Sequence, residues 1–153
     1  MKNTGIKIIA TNKKASFNYF LSDFLEVGIV LVGTEIKSLR VNGASMNDAY
    51  VVFKNGEAFL INMHISIYKE GNIFNHDPLR SRKLLLHKKE ILKLSQKVKE
   101  KQYTVVPTKI YFKDGLAKVE IALAKGKKLY DKRETEKEKD TKRAIDKAMK
   151  NNY

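Results

Sequence analysis

The side chains of this sequence that could do chemistry are mainly cationic, and their densest group surrounds Gly126. Residues 124–133 (AKGKKLYDKR) place five basic side chains around one glycine and one tyrosine. Lysine and arginine neutralise phosphates, and an exposed tyrosine can stack on an unpaired base. Further basic groups occur at 12–14, 80–83 and 87–89. The chemistry that these residues indicate is the binding of a polyanion.

Residues that could catalyse a reaction are few and scattered. The chain has no cysteine, which removes thiolate nucleophiles and cysteine-ligated zinc. His76-Asp77 could belong to a metal-dependent hydrolase, but Pro78 follows it and the segment is typical of a turn. His64 follows an apolar run and is expected to be partly buried, whereas His87 is expected at the start of a helix.

The acidic and glycine residues add no catalytic pattern. Glu26 and Glu35 are interpreted as isolated carboxylates, so no acid–base pair is predicted. Gly33, Gly43 and Gly126 are isolated and form no glycine-rich phosphate loop. We therefore expect no enzyme, no catalytic residue, no metal site and no cofactor.

Composition narrows the class of partner. The 153 residues include 31 Lys and Arg against 17 Asp and Glu, a formal charge of +14. Such a surplus favours nucleic acid as partner, with an anionic membrane second and a merely basic protein as the third alternative. No stretch approaches the roughly 20 apolar residues of a membrane span, and the absence of cysteine fits a reducing cytoplasm.

The elements that must position these residues are mostly strands. Alternation predicts a strand over 5–11, and β-branched residues favour another within 19–32. Asn55-Gly56 and Asp114-Gly115 each divide two apolar runs, which predicts two tight hairpins over 50–61 and 108–123. Phe17 and Tyr19 are expected to pack in the core, with base stacking as the alternative.

Two helices and a long loop complete the pattern. Thr34 is predicted to cap a short helix that Gly43 ends, and 87–101 has the apolar spacing of a longer helix. Residues 68–82 are predicted to form a loop. The fold class is mainly β: a small antiparallel barrel with about three peripheral helices, or alternatively an open sheet with a helix on one face.

The last residues differ from the body in composition. After position 130 the apolar residues are few, and the stripe that contains Ile145 and Met149 is too thin to dock firmly. We therefore predict a folded domain over 1–130 and a basic tail over 131–153, disordered when free and helical against a partner. An inert charged terminus is the alternative.

Four motifs in order along the chain resemble the SmpB family of bacterial SsrA-binding proteins. They are GTEIKSLR at 33–40, NHDP at 75–78, RKLLLH at 82–87 and AKGKKLYDKR at 124–133. The resemblance implies an oligonucleotide-binding-type (OB-fold-like) β-barrel with three helices. It also implies a cytoplasmic monomer that binds the tRNA-like domain of tmRNA and delivers it to stalled ribosomes for trans-translation, with its tail in the message channel of the small subunit near the decoding centre.

The resemblance also assigns residues to two sites. It implies an RNA-binding set, Asn12, Lys13, Glu26, Lys83, Leu85 and Lys118. It implies a ribosome-contacting set, Gly126, Lys127, Lys128, Tyr130, Asp131, Lys132 and Arg133. Because a carboxylate cannot pair with phosphate, Glu26 must accept hydrogen bonds from base edges or 2′-hydroxyls, or orient a lysine.

Some alternatives stay open. Leu85 could pack against a base or belong to the core. Many family members carry histidine where this chain has Tyr130, which can stack but cannot become cationic. Two other functions remain: a general RNA-binding or ribosome-associated barrel without tmRNA specificity, and an RNA-processing hydrolase that uses His76-Asp77.

Overall fold

The computed structural model describes residues 5–70 and 75–127. These residues form seven strands and three helices in mixed order. In chain order they are β1 (Ile6–Thr11), α1 (Lys13–Asn18), β2 (Tyr19–Ile29), α2 (Gly33–Asn42), β3 (Tyr50–Lys54), β4 (Glu57–Ile61), β5 (Arg82–Leu85), α3 (Lys88–Lys101), β6 (Thr104–Lys113) and β7 (Leu116–Gly126).

The strands close into one antiparallel sheet. Its order is β1-β6-β3-β4-β5-β2-β7, and β7 also pairs with β6, so the sheet returns to its own start. Closure gives each of the six ring strands a paired strand on both sides. The mainly β, antiparallel fold with three helices is confirmed, and the open-sheet alternative is wrong. The oligonucleotide-binding topology by name stays a prediction.

Both predicted hairpins are present, and their turns show why the sequence identified them. Asn55 and Gly56 have φ of 53° and 73°, and Asp114 and Gly115 have φ of 51° and 83°. These left-handed conformations suit asparagine, aspartate and glycine. The second hairpin is longer than predicted, because β6 and β7 stay paired from Thr104 to Ala124.

Alternation along the strands fills the barrel. On β7 the inward residues Val119, Ile121 and Leu123 are buried with the aliphatic side chains of the other strands. A second, smaller cluster lies where α1 covers the outside of the sheet, and Tyr19 packs against it. Core packing of Tyr19 is therefore confirmed, and Phe17 is half-buried.

The ends of several elements differ from the predictions. The N-cap of α2 is Val32 and not Thr34, because the backbone N–H of Val32 donates to Glu35 Oε1 at 2.9 Å. The end of α2 at Gly43 and the start of α3 after His87 are confirmed. The tail over 131–153 and the domain boundary at 130 lie outside the described residues.

Candidate nucleic-acid interface

Four adjacent strands bring most of the RNA-binding set onto one outer face of the barrel. Leu85 on β5 is paired with Gly28, Gly28 with Lys118, and Lys118 with Tyr111. A second row beside it pairs Glu26 with Glu120 on β7. Directly paired residues of antiparallel strands have Cβ atoms about 4.5 to 5.5 Å apart. These residues are therefore neighbours, and we call this surface the Glu26 face.

Leu85 forms the apolar part of the Glu26 face. Its side chain is 54% exposed, so the alternative that it belongs to the core is wrong. It lies over Gly28, where an added Cβ would come within 3.2 Å of Leu85 Cδ1. Because Gly28 has no side chain, Leu85 can pack against the sheet at this position. The outer side of Leu85 stays accessible to a ligand.

Glu26 lies among donors. The hydroxyl of Tyr111 donates a short hydrogen bond to Glu26 Oε2, and Lys113 Nζ lies 3.3 Å from Oε1. The hydrogen bond from Tyr111, with Lys113 and Lys118 adding positive charge, lowers the pKa of Glu26 despite some desolvation. The carboxylate is thus held ionised and oriented, with 38% of its side chain still exposed.

Tyr111 remains a donor under all ordinary conditions. Its ring is buried beneath its neighbours, with Lys109 Nζ 5.8 Å from the ring centroid. Burial, together with the hydrogen bond to Glu26, raises the pKa of the Tyr111 hydroxyl well above its ordinary value. The proton therefore stays on the phenol, and the direction of the Tyr111–Glu26 hydrogen bond is fixed.

The predicted lysines differ in how close they lie to the Glu26 face. Lys118 is half-buried in the row itself. Lys83 lies two residues before Leu85 on β5, where it is exposed and forms an ion pair with Glu57 at 2.7 Å. Lys13 is exposed at the start of α1, which follows the β1 residue paired with Lys109.

Asn12 differs from the rest of the RNA-binding set because it is buried. Its Oδ1 accepts from the N–H of Ala15, and its Nδ2 donates to the carbonyls of Met46 and Pro107 at 3.1 and 2.9 Å. The side chain therefore caps α1 and ties it to two other segments. Its structural role is to position Lys13, and direct contact with RNA stays a prediction.

Only the first two residues of the ribosome-contacting set lie within the described part of the chain. Gly126 ends β7 and is exposed. Lys127 Nζ donates to the carbonyl of Ser16 at 3.2 Å. Lys128, Tyr130, Asp131, Lys132 and Arg133 lie outside the described residues.

The other predicted carboxylate, Glu35, is not isolated. It is fully buried, with Oε1 2.6 Å from Arg80 Nη2 and Oε2 2.5 Å from Arg82 Nε. Burial alone would raise the pKa of Glu35, but hydrogen bonds from Arg80, Val32 and Arg82 lower it below its ordinary value. We call these three charged side chains the Glu35 cluster.

The Glu35 cluster also changes the interpretation of the basic segment 80–83. Arg82 is fully buried at the start of β5 and donates to the carbonyls of Met63 and Pro78 at 2.6 and 3.1 Å. Arg80 is partly exposed but bound to Glu35. Both arginines hold the loop before β5 against α2, so the prediction of a phosphate-binding loop was wrong for them.

His76 has a structural role, whereas His64 is exposed. His76 is buried, with Nε2 2.9 Å from the carbonyl of Ile65 and Nδ1 2.9 Å from the Thr34 hydroxyl. Because a carbonyl only accepts, Nε2 carries the proton and Nδ1 accepts from Thr34. His64 is exposed, contrary to prediction, because its backbone, not its ring, is engaged in a bridge to Ser45.

Within residues 5–70 and 75–127, no three His, Asp or Glu side chains are grouped in a way that could hold a metal ion. Across the same residues, no helix is long and apolar enough to cross a membrane.

Sequence reasoning missed four residues in or beside the Glu26 face: Gly28, Tyr111, Lys113 and Glu120. Gly28 interrupts a β-branched run, and an isolated glycine in a strand indicates a close approach that could have been noticed. Tyr111 lies between two apolar residues and resembles a core aromatic, so only the register with β2 and β7 reveals its contact with Glu26.

Comparison with known proteins agrees with the motifs. The SmpB protein family model matches residues 9–151. The chain is 60% identical over 144 residues to the SsrA-binding protein of Geotalea uraniireducens, covering 94% of this chain and 95% of that protein. It is 58% identical over 145 residues to the SsrA-binding protein of Enterococcus hirae, covering 95% and 94%.

A solved structure agrees as well. A chain from a study titled "tmRNA-SmpB: a journey to the center of the bacterial ribosome" superposes with a TM-score of 0.68 at 42% identity, covering 84% of this chain and 94% of that one. With a family model across nearly the whole sequence and relatives at this identity, the chain belongs to the SmpB family.

Proposed function

We propose that this protein binds the tRNA-like domain of tmRNA through the Glu26 face and delivers it to stalled ribosomes for trans-translation. The observation that supports this most is the gathering of Glu26, Lys118 and Leu85 from three strands onto one exposed surface. Relatives of the same family are named SsrA-binding proteins, after the RNA also called tmRNA.

The Glu26 face suits a folded RNA more than a uniform phosphate backbone. A fixed carboxylate repels phosphate and accepts from base edges or 2′-hydroxyls, which only RNA presents together. Lys118 and Lys113 lie beside it and neutralise nearby phosphates. Leu85 supplies an apolar contact for an unstacked base. Binding at the Glu26 face therefore depends on the shape of the RNA and on where its hydroxyls and bases lie, more than on phosphate charge alone.

The protein acts in this role as a binding partner without catalysis, as a monomer in the cytoplasm. The set from Gly126 to Arg133 contacts the small ribosomal subunit near its decoding centre, and residues 131–153 enter the message channel. Chain direction supports this division, because β7 carries Lys118 on the Glu26 face and ends at Gly126, five residues before the tail over 131–153.

The competing function is general RNA binding without tmRNA specificity, which the charge of +14 favours. The two are separated by competition. Labelled tRNA-like domain bound to the full chain is challenged with unlabelled structured RNA of equal length. Specific binding predicts that the unrelated RNA competes only at large excess. Equal competition would support the general binder, as would a lysate pulldown that recovers mixed RNAs.

Truncation after Arg133 tests the division of labour. We expect the truncated protein to keep its affinity for the tRNA-like domain, because the Glu26 face lies entirely within residues 26–120. We expect it to lose peptide tagging on stalled ribosomes in a reconstituted translation reaction. Tagging at the full rate by the truncated protein would refute the role of the tail.

A further inference from the structure

A second exposed surface lies at the opposite end of β2 from Gly28. Two phenylalanines there are largely open to solvent, Phe20 at 49% and Phe24 at 55%. Lysines from β7 and α3 accompany them. We call the surface formed by Phe20, Phe24, Lys93, Lys125 and Lys127 the aromatic end of the barrel.

Phe20 lies where β2 and β7 extend past β6. It is paired with Lys125, whereas the last β7 residue paired with β6 is Ala124. Lys127 Nζ lies 5.1 Å from the centroid of the Phe20 ring. The aromatic ring is thus bordered by cations from the strand that leads to the tail.

Phe24 is displaced outward by an irregularity in β2. The register with β7 shifts between Ser22 and Leu25, and Asp23 has a φ of 53°. The one extra residue in β2 leaves Phe24 at a groove of about 270 Å³ shared with Lys93 and Leu94 of α3. Phe24 thus has more than half of its surface accessible to a ligand beside a formed groove.

The acidic residues of this groove are already engaged. Asp23 forms an ion pair with Lys97 at 2.6 Å, and Glu90 accepts the backbone N–H of His87 at 2.9 Å. Among the ion pairs of the described residues, none includes Lys93 or Lys125. Lys93 beside Phe24 and Lys125 beside Phe20 therefore remain outside the ion pairs of the described residues.

We propose that the aromatic end is a second RNA site, where unpaired bases stack on Phe20 and Phe24 while the adjacent lysines neutralise phosphates. Stacking on aromatic rings beside cations is how proteins hold single-stranded nucleic acid with little sequence preference.

One RNA strand can reach both rings. Phe20 and Phe24 are four residues apart, and even a fully extended strand would separate them by no more than about 13 Å. This site is separate from the Glu26 face, because it uses the first half of β2 and a different part of β7. The inference stands independently of the proposed binding of tmRNA.

The test measures how much affinity the bases themselves add. Full-length protein is titrated into a labelled single-stranded RNA of about 12 nucleotides and into an abasic strand of the same length. The abasic strand keeps the phosphates and loses every base. We expect F20A and F24A each to reduce the preference for the base-bearing strand by at least about fivefold, the loss of one stacked base.

Three variants make this result specific. Phe24→Tyr keeps an aromatic ring and should keep the preference. Tyr50→Ala removes another exposed aromatic, outside the aromatic end, and should not change it. Lys118→Ala should weaken binding of the tRNA-like domain while leaving the preference intact. A preference unchanged in F20A and F24A overturns the proposal, as does loss of the preference in K118A.

Discussion

Two carboxylates in this protein, Glu35 and Glu26, have the same chemistry and opposite surroundings. Glu35 is fully buried, and its partners are two arginines, Arg80 and Arg82, and a backbone N–H. Glu26 is 38% exposed, and its partners are a phenol and two lysines at the edge of solvent. Both carboxylates have a lowered pKa.

The difference in exposure indicates that Glu35 stabilises the fold and that Glu26 is available to bind a ligand. Every buried side-chain polar atom of the described residues has a hydrogen-bond partner, so Glu35 has nothing left to offer a ligand. Glu26 is oriented by Tyr111 but still open to solvent. An ionised carboxylate that is fixed and exposed is suited to recognise RNA hydroxyls or base edges, whereas a fixed and buried one holds the fold.

The largest expected effect is on stability. Glu35→Gln leaves the buried guanidinium of Arg82 without its counter-charge, which costs about 3 to 5 kcal/mol. We expect urea unfolding to show a loss of this size, with RNA affinity measured in the folded fraction little changed.

The matched control is Glu57→Gln, which breaks the exposed ion pair with Lys83 and should cost about 1 kcal/mol or less. Equal losses in E35Q and E57Q would contradict the structural role of the Glu35 cluster.

The contribution of Glu35 should also appear in the pH dependence of the free energy of unfolding. The folded pKa of Glu35 lies below its ordinary value of 4.5, so the unfolded state binds more protons as pH falls. The stabilisation is complete above pH 4.5 and is lost as pH falls through the folded pKa. Unfolding free energy measured against pH should decline in this window for the wild type. In E35Q the decline should be clearly shallower, and an identical slope would contradict the account.

The smallest expected effect is that of Tyr111→Phe. It removes the hydroxyl that orients Glu26 and lets the pKa of Glu26 rise towards its ordinary value. Since Glu26 stays ionised at neutral pH and Lys113 remains beside it, we expect only a few-fold loss of affinity for the tRNA-like domain, on the order of one neutral hydrogen bond. A loss as large as that of Glu26→Gln would mean that Tyr111 contacts the RNA itself.

Local rules predicted much of the fold. Positive φ at Asn55-Gly56 and Asp114-Gly115 and the alternation of Val119, Ile121 and Leu123 are local properties, and the hairpins followed from them. The charge partners of Glu35 did not, because Arg80 and Arg82 are more than forty residues away and meet it only through the barrel closure.

The candidate site, like the fold, could be predicted from the sequence only in part. Resemblance to a family supplied Glu26, Lys118 and Leu85, and strand register then placed them on one face. A family motif does not show which side chains are buried. The sequence therefore did not predict that the Asn12 side chain is hydrogen-bonded to backbone groups inside the protein.

The most direct test of the central claim is the affinity of Glu26→Gln for the tRNA-like domain of tmRNA. Glu26→Gln keeps the shape of the side chain and removes its charge, and a hydrogen bond to a charged group contributes about 1.5 to 3 kcal/mol. We predict a loss of affinity of at least about tenfold, with the urea midpoint little changed. Wild-type affinity in E26Q would contradict the assignment of the Glu26 face as the RNA-binding surface.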